Sequence, residues 1–135
     1  MLKFKYVINI HGNGNEWSNR FRMLLSSGAL VFKQQSTLFE CWERHFRAYE
    51  HYIPVKADLS DLVEQVEWAR ANDEAARHIA RAAVALVRQH LHLDAVQCYW
   101  ARLIHRYSAL QDFKPAVPAE AVPVVNLASS LWRTS

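Results

Sequence analysis

The chain has 135 residues, of which 51% are hydrophobic and 21% are charged. This composition is typical of one folded domain with a buried core and excludes a disordered chain. The formal net charge of +3 suits an anionic ligand but falls short of a dedicated nucleic-acid-binding protein. No apolar run approaches the roughly 20 residues that a membrane-spanning helix needs. The two cysteines, Cys41 and Cys98, form no C-x-x-C pair.

Strand and helix patterns alternate through the first part of the chain. β-branched and aromatic residues predict buried strands, and apolar residues at helical spacing predict helices between them. Gly28 is expected to end the first helix, and Pro54 to end the third strand. The predicted elements, in chain order, are strand 4–10, helix 18–27, strand 29–32, helix 37–46 and strand 51–55.

Three further helices are predicted after the third strand, over Asp58–Ala71, over Asp73–Leu91 and from Asp94 onward. Strands that alternate with helices predict an α/β fold, with a parallel sheet covered on both faces. From Lys114 the pattern ends in a stretch rich in proline and alanine. We therefore predict a folded domain over residues 1–113 and a linker or disordered tail over residues 114–135.

The turn between the first strand and the first helix is the best candidate for a ligand site. Open parallel sheets bind ligands at the carboxyl ends of their strands. Gly12 and Gly14 would let a ligand approach the backbone, Ser18 can cap the helix, and Arg20 can grip phosphate oxygens. However, Trp17 stands where a dinucleotide fingerprint has its third glycine. The spacing alone therefore leaves two interpretations, a phosphate-binding turn with Arg20 as ligand, or a plain connection with a solvated arginine.

Other polar and aromatic residues near the predicted strand ends also allow two interpretations. Trp17 can stack on a base or sugar, or pack against its own chain. Lys33 and Gln34 end the second strand, where they either face a ligand or close the strand. Asp58 and Asp61 can bind a ribose hydroxyl, or can begin a helix as cap and acidic first-turn residue.

The sequence contains no recognisable pattern of catalytic or metal-binding residues. His90 and His92 are the only tight histidine pair, and no carboxylate or cysteine completes a metal site at ligand spacing. No Ser/His/Asp arrangement is present. We therefore predict no metal ligand and no catalytic residue within this chain.

Six segments carry a family resemblance, in order over about residues 5–111. They are Gly12-Asn13-Gly14, Trp17–Arg22, Ser27–Gln34, His51–Lys56, Asp58–Leu62 and Cys98-Tyr99-Trp100. Together they resemble glycosyltransferase family 90, the protein O-glucosyltransferases and the capsule-associated xylosyltransferases of fungi. The resemblance implies an enzyme of two Rossmann-like halves, of the GT-B type, and this chain is similar to the C-terminal, donor-binding half. It also favours the phosphate-binding interpretation of the first turn.

The resemblance implies that the enzyme transfers glucose or xylose from a UDP-sugar to a hydroxyl group of a protein or glycan. It implies no bound metal or other cofactor. Arg20 and a helix N-terminus would then stabilise the charge that develops on the UDP leaving group. The donor-binding residues implied by the resemblance, extended by the position of Lys33, are Gly14, Asn15, Glu16, Trp17, Ser18, Asn19, Arg20 and Lys33.

The chain departs from the family pattern in ways that affect the expected activity. The aspartate that serves as general base belongs to the N-terminal half of family members and has no counterpart here. His11 occupies a position where relatives often carry aspartate, and Cys98 matches a cysteine that in some relatives pairs with one in the other half. We therefore expect a fragment that binds the donor weakly and transfers little without the missing N-terminal half.

Two further expectations concern location and rival functions. Family members usually work in the lumen of the endoplasmic reticulum or Golgi, but this chain itself carries no targeting signal. One alternative function is a non-catalytic remnant or inactive paralogue that binds a nucleotide sugar or a protein partner. A small nucleic-acid-binding module is the other, and we expect no nucleic-acid partner because the aromatic residues lie at core spacing.

Overall fold

The computed structural model describes residues 4–12, 19–114 and 116–121. Strands and helices alternate and then give way to three successive helices. The elements are β1 (Tyr6–Asn9), α1 (Arg20–Ser26), β2 (Leu30–Gln34), a 3-10 turn (Glu43–His45), β3 (Ile53–Val55), α2 (Leu62–Ala71), α3 (Asp73–His90) and α4 (Leu93–Ser108).

The described strands form a small parallel sheet with β2 in the centre. Val7 of β1 lies opposite Val31, and Phe32 lies opposite Ile53 of β3. Both pairings are parallel, as the alternation of strands and helices predicts. The predicted α/β class, with a parallel sheet and flanking helices, is therefore confirmed, and the described strands are consistent with a Rossmann-like half.

Successive residues of β2 point to opposite faces of the sheet, and each face is covered by helices. Leu30 and Phe32 join the first hydrophobic cluster, and Val31 joins the second. The buried members of the first cluster are Leu30, Phe32, Ile53, Val55, Ala69, Ala76 and Ile79. Those of the second are Phe21, Leu25, Val31, Phe46, Ala83 and Val87. Burial on both faces explains why the strands are almost uniformly apolar.

Helix α1 follows its apolar pattern closely. Phe21 and Leu25 are buried in the second cluster, and Leu24 packs against it. Gly28 has a φ of +83°, a left-handed conformation that costs glycine little and other residues more. The predicted glycine end of this helix is confirmed, and the chain turns there directly into β2.

The helix predicted over residues 37–46 is wrong. The segment contains a single 3-10 turn, Glu43–His45, after an irregular stretch. The hydroxyl of Ser36 accepts a hydrogen bond from the Leu38 amide, which competes with helix formation at the start of the segment. Further along, Phe46 is buried in the second cluster and Glu43 pairs with Lys33. These tertiary contacts override an apolar spacing that also fits a helix.

Helix α2 begins at Leu62, not at the predicted Asp58, because the acidic side chains stabilise a turn instead. The Asp58 carboxylate accepts the Ser60 amide at 3.0 Å, and the Asp61 carboxylate accepts the Lys56 amide at 2.8 Å. Leu59 between them has a φ of +61°, which a helix does not allow.

Pro54 lies inside β3 and does not end it, a third correction to the predicted elements. Strand β3 is an edge of the described sheet, and Pro54 lies opposite Lys33 of β2. A proline is tolerated at an edge because its missing N–H can face away from the neighbouring strand.

The chain divides into two units, Met1–Tyr99 and Trp100–Ser135. In the second unit, helix α4 ends at Ser108. The Leu110 amide then donates a hydrogen bond to the Tyr107 carbonyl, which forms a turn after the helix. The division predicted at residues 113 and 114 stays a prediction. No helix within the described ranges combines the length and the hydropathy needed to cross a bilayer.

Candidate functional site

The carboxyl ends of the three described strands meet at one edge of the sheet, since the strands are parallel. Strand β1 ends at Asn9, β2 at Gln34 and β3 at Val55. Helix α1 begins beside them at Arg20. We call this edge, with the residues that follow each strand, the carboxyl edge.

Arg20 lies against the end of β1. Its Nε atom donates to the Asn9 carboxamide oxygen at 3.1 Å, and its Nη2 atom donates to the Ile10 carbonyl. Asn9 is buried, so its side chain gives the guanidinium a fixed acceptor. A positive charge is therefore held at the carboxyl edge, where an open parallel sheet binds ligands.

Gln34 connects the exits of the two outer strands. Its Oε1 atom accepts a hydrogen bond from the His11 amide at 2.9 Å, and its Nε2 atom donates to the Ala57 carbonyl at 2.5 Å. The His11 ring lies 3.0 Å from the Gln35 carbonyl through Nε2, so that nitrogen is the donor. The chain leaving β1 is thus attached to β2 through both its backbone and its side chain.

Lys33 lies on the opposite face of β2 from Phe32 and forms an ion pair with Glu43 at 2.7 Å. Its Nζ atom also lies 5.0 Å from the centre of the Phe21 ring, an arrangement that favours a cation. Lys33 and Glu43 are both buried. The ammonium therefore has a partner within the chain, and its predicted contact with a donor stays a prediction.

Aromatic rings secure helix α1 next to this pair. The Phe21 ring stacks on Trp42 at 5.8 Å and meets the edges of Phe46 and Tyr52 at 6.3 Å and 5.8 Å. The Trp42 indole N–H donates to the Glu40 carboxylate at 2.6 Å. Such ring pairs add to the free energy of burial and restrict their own geometry. Because Arg20 precedes Phe21 in α1, this packing also helps to position the guanidinium.

The turn after β3 contains Asp58 and Asp61, for which the sequence allows either a ribose contact or a role at the start of a helix. Hydrogen bonds from the amide and the hydroxyl of Ser60 lower the pKa of Asp58 below its ordinary value. Asp58 is therefore ionised at neutral pH. Asp61 does not act as a side-chain cap of α2, since its carboxylate accepts the Lys56 amide. Nothing in the described residues tests the alternative of a ribose contact for either residue.

Part of the predicted donor-binding segment lies outside the described residues, namely Gly14, Asn15, Glu16, Trp17 and Ser18. Asn19 is described and exposed, and precedes α1 without a side-chain cap bond among the described residues. Its donor contact and those of the other five residues stay predictions.

The histidines of the predicted elements do not gather around a metal position within the described part of the chain, where no three potential ligands lie together. His90 instead stacks on His45 from the 3-10 turn, with ring centres 5.2 Å apart. This describes the packing of His90 and leaves the metal requirement of the activity as a prediction.

Sequence analysis missed two residues at this edge, Asn9 and Glu43. Asn9 is a polar residue in an otherwise apolar strand, and this was the available signal in the sequence. The structure places it opposite Lys33 of β2. Glu43 lies ten positions after Lys33, and no local spacing rule connects residues so far apart.

The parallel sheet and its polar carboxyl edge define the chain as an α/β protein with the geometry of a ligand-binding sheet. The sequence matches the model of the family described as "Glycosyl transferase family 90" over residues 1–133. The chain therefore belongs to glycosyltransferase family 90.

Several curated proteins are similar to this chain over most of its length. Protein O-glucosyltransferase 2 of Danio rerio is 40% identical over 116 residues, which are 86% of this chain and 23% of the relative. Protein O-glucosyltransferase 3 of Rattus norvegicus is 36% identical, over 86% of this chain and 22% of the relative. Protein O-glucosyltransferase 1 of Homo sapiens is 37% identical over 111 residues, or 82% of this chain and 28% of the relative. The chain thus spans about a quarter of the length of these relatives.

Proposed function

We propose that this chain is the nucleotide-sugar-binding part of a glycosyltransferase that moves glucose or xylose from a UDP-sugar to a hydroxyl group of a protein or glycan. Membership of family 90 supports the general reaction. The names of the relatives, protein O-glucosyltransferases, support a sugar joined to a protein oxygen. A second Rossmann-like half, completing a GT-B enzyme, is part of the same proposal.

The position of Arg20 carries the proposal. Its guanidinium lies at the end of β1, bonded to Asn9 and Ile10, at the edge where parallel sheets bind ligands. When a sugar leaves UDP, negative charge builds on the diphosphate, and a fixed cation stabilises that charge. The proposed donor site comprises Arg20 together with Gly14, Asn15, Glu16, Trp17, Ser18, Asn19 and Lys33.

In this mechanism the chain binds and orients the donor, and a carboxylate outside it accepts the proton of the attacking hydroxyl. The oxygen of the acceptor forms the new bond to the sugar, while the bond from the sugar to the UDP oxygen breaks. No metal takes part, so chelation with EDTA should leave the affinity for UDP unchanged. A loss of affinity that added Mg²⁺ or Mn²⁺ restores would overturn the metal-independent part of the proposal.

Calorimetry with UDP, UDP-glucose and UDP-xylose tests the donor site directly. Arg20→Ala should lower the affinity for UDP by about tenfold to a hundredfold, the loss of one charge-assisted hydrogen-bonding group. Arg70→Ala is the matched control, since it removes the same charge from α2. Arg70 adjoins Ala69, whose carbonyl accepts the Tyr6 hydroxyl at the opposite end of β1. Equal affinities in the two variants, or no binding by the unaltered chain, would contradict the proposed function.

Arg20→Lys separates charge from geometry. Lysine keeps the positive charge but lacks the planar fork that reaches Asn9 and Ile10 together. We expect an affinity between those of the unaltered chain and Arg20→Ala. Circular dichroism of each variant checks that the fold persists.

A further inference from the structure

We infer that Gln34 is a positioning residue, which holds His11, directly after β1, at the carboxyl edge beside Arg20. The inference rests on the proposed function, because it concerns the same site. Gln34 is the last residue of the central strand, and its carboxamide lies between the backbone of His11 after β1 and that of Ala57 after β3. It therefore joins the exits of both neighbouring strands at the carboxyl edge.

The carboxamide group suits this role because it offers a donor and an acceptor at the same time. The His11 amide requires an acceptor and the Ala57 carbonyl requires a donor, so the two partners determine the orientation of the Gln34 amide. Glutamate could serve only His11, and an apolar residue could serve neither. The contact thus depends on glutamine itself and not only on side-chain size.

His11 and Arg20, two described residues that flank the predicted donor-binding segment in the sequence, are both held at the carboxyl edge. At the start, the His11 amide is held by Gln34, and the His11 ring by the Gln35 carbonyl. At the far end, Arg20 is bonded to Asn9 and Ile10, which immediately precede His11. His11 and Arg20 are therefore both held at the end of the same strand, β1. Loss of the Gln34 contact should displace His11 relative to Arg20.

Two variants separate the two bonds of Gln34. Gln34→Leu removes both, whereas Gln34→Glu keeps the acceptor for the His11 amide and loses the donor to Ala57. Gln35→Leu is the matched control, since only the backbone of Gln35 makes hydrogen bonds among the described residues. All three variants are tested in the full chain.

Amide hydrogen exchange, followed by NMR, tests the positioning without any ligand. The His11 amide should exchange about tenfold faster in Gln34→Leu than in the unaltered chain, because its side-chain acceptor is lost. In Gln34→Glu and Gln35→Leu it should stay protected. An equal exchange rate in Gln34→Leu and the unaltered chain would overturn the inference, whether or not UDP binds.

Calorimetry with UDP then tests the link to the donor site. Gln34→Leu should lower the affinity for UDP by about tenfold, while its melting temperature stays close to that of Gln35→Leu. A variant that only lost stability would instead melt earlier and bind UDP normally when folded, which would contradict the inference. If the unaltered chain fails to bind UDP, the proposed function fails, and the exchange rates alone decide whether Gln34 positions His11.

Discussion

Lys33 and Glu43 form an ion pair in which the side chains are only 11% and 8% exposed to solvent. The pair links the end of the central strand to the 3-10 turn. Two charges taken out of water are costly unless they stay together, because each partner offsets the desolvation of the other. Replacing either residue of the pair alone should therefore lower the stability of the fold.

Glu43→Ala should destabilise the fold by about 3 kcal/mol, because it leaves the Lys33 ammonium buried without its carboxylate. The double variant Lys33→Met/Glu43→Leu should regain most of that loss, since no charge remains buried. Urea denaturation measures both. Glu50→Ala, at an exposed pair with Arg47, is the control and should cost under about 1 kcal/mol. Equal losses from Glu43→Ala and Glu50→Ala would contradict a desolvated pair.

The same double variant tests the predicted donor contact of Lys33. With the fold retained and the ammonium removed, a direct contact with the diphosphate predicts an affinity for UDP about tenfold lower than that of the unaltered chain. Calorimetry measures the difference. An unchanged affinity would restrict Lys33 to holding Glu43 and remove it from the donor site.

Gly28→Ala should destabilise the chain by about 1 kcal/mol, because alanine pays a steric cost for the left-handed backbone. Steric crowding by other residues is not the reason, since a Cβ at Gly28 would meet no atom of the described residues within 4 Å. Gly12 offers the matched control, with equally open space and no left-handed backbone. Thermal denaturation should therefore separate the two variants, and a Gly12→Ala protein that is less stable than Gly28→Ala would refute the explanation.

Asp73 should make the stability of the fold sensitive to acid. A hydrogen bond from Lys5 and, to a lesser extent, one from Arg77 lower the pKa of Asp73 below its ordinary value of 3.8. The ionised carboxylate therefore stabilises the folded chain above that value, and the contribution is lost as the pH falls through the lowered pKa.

The corresponding variant is Asp73→Asn. It should be less stable than the unaltered chain at neutral pH, and the difference should shrink at about pH 3. Urea denaturation at both pH values measures this. Glu74→Gln, in the same helical turn, should show no comparable convergence, because Glu74 has no ion-pair partner in the part of the chain that the structure describes. A constant difference for Asp73→Asn would rule out this linkage.

The sheet and the longer helices could be predicted from sequence because their patterns are local. β-branched runs alternate with helical spacing, Gly28 ends α1, and the acidic start and basic end of α3 agree with its dipole. The 3-10 turn could not be predicted, since the contacts that favour it include the ion pair with Lys33, ten positions earlier in the sequence, and the burial of Phe46.

The candidate site was predictable to a similar extent. Its location follows from the general behaviour of parallel sheets, and Arg20 was recognisable as a residue of the first helical turn. Arg20 donates hydrogen bonds to Asn9 and Ile10. These contacts could not be predicted, because they depend on how the chain folds back onto the end of β1. The bridging role of Gln34 likewise depends on the residues after β1 and β3 lying close together, which residue spacing in the sequence does not predict.

Helix α3 contributes Ala76 and Ile79 to the first hydrophobic cluster and Ala83 and Val87 to the second. Because α3 belongs to both clusters, neither cluster can lose its contacts with α3 while the other still holds the helix against the sheet. Unfolding of the first unit should accordingly be concerted, with the amides of β2 and α3 opening together in one cooperative event.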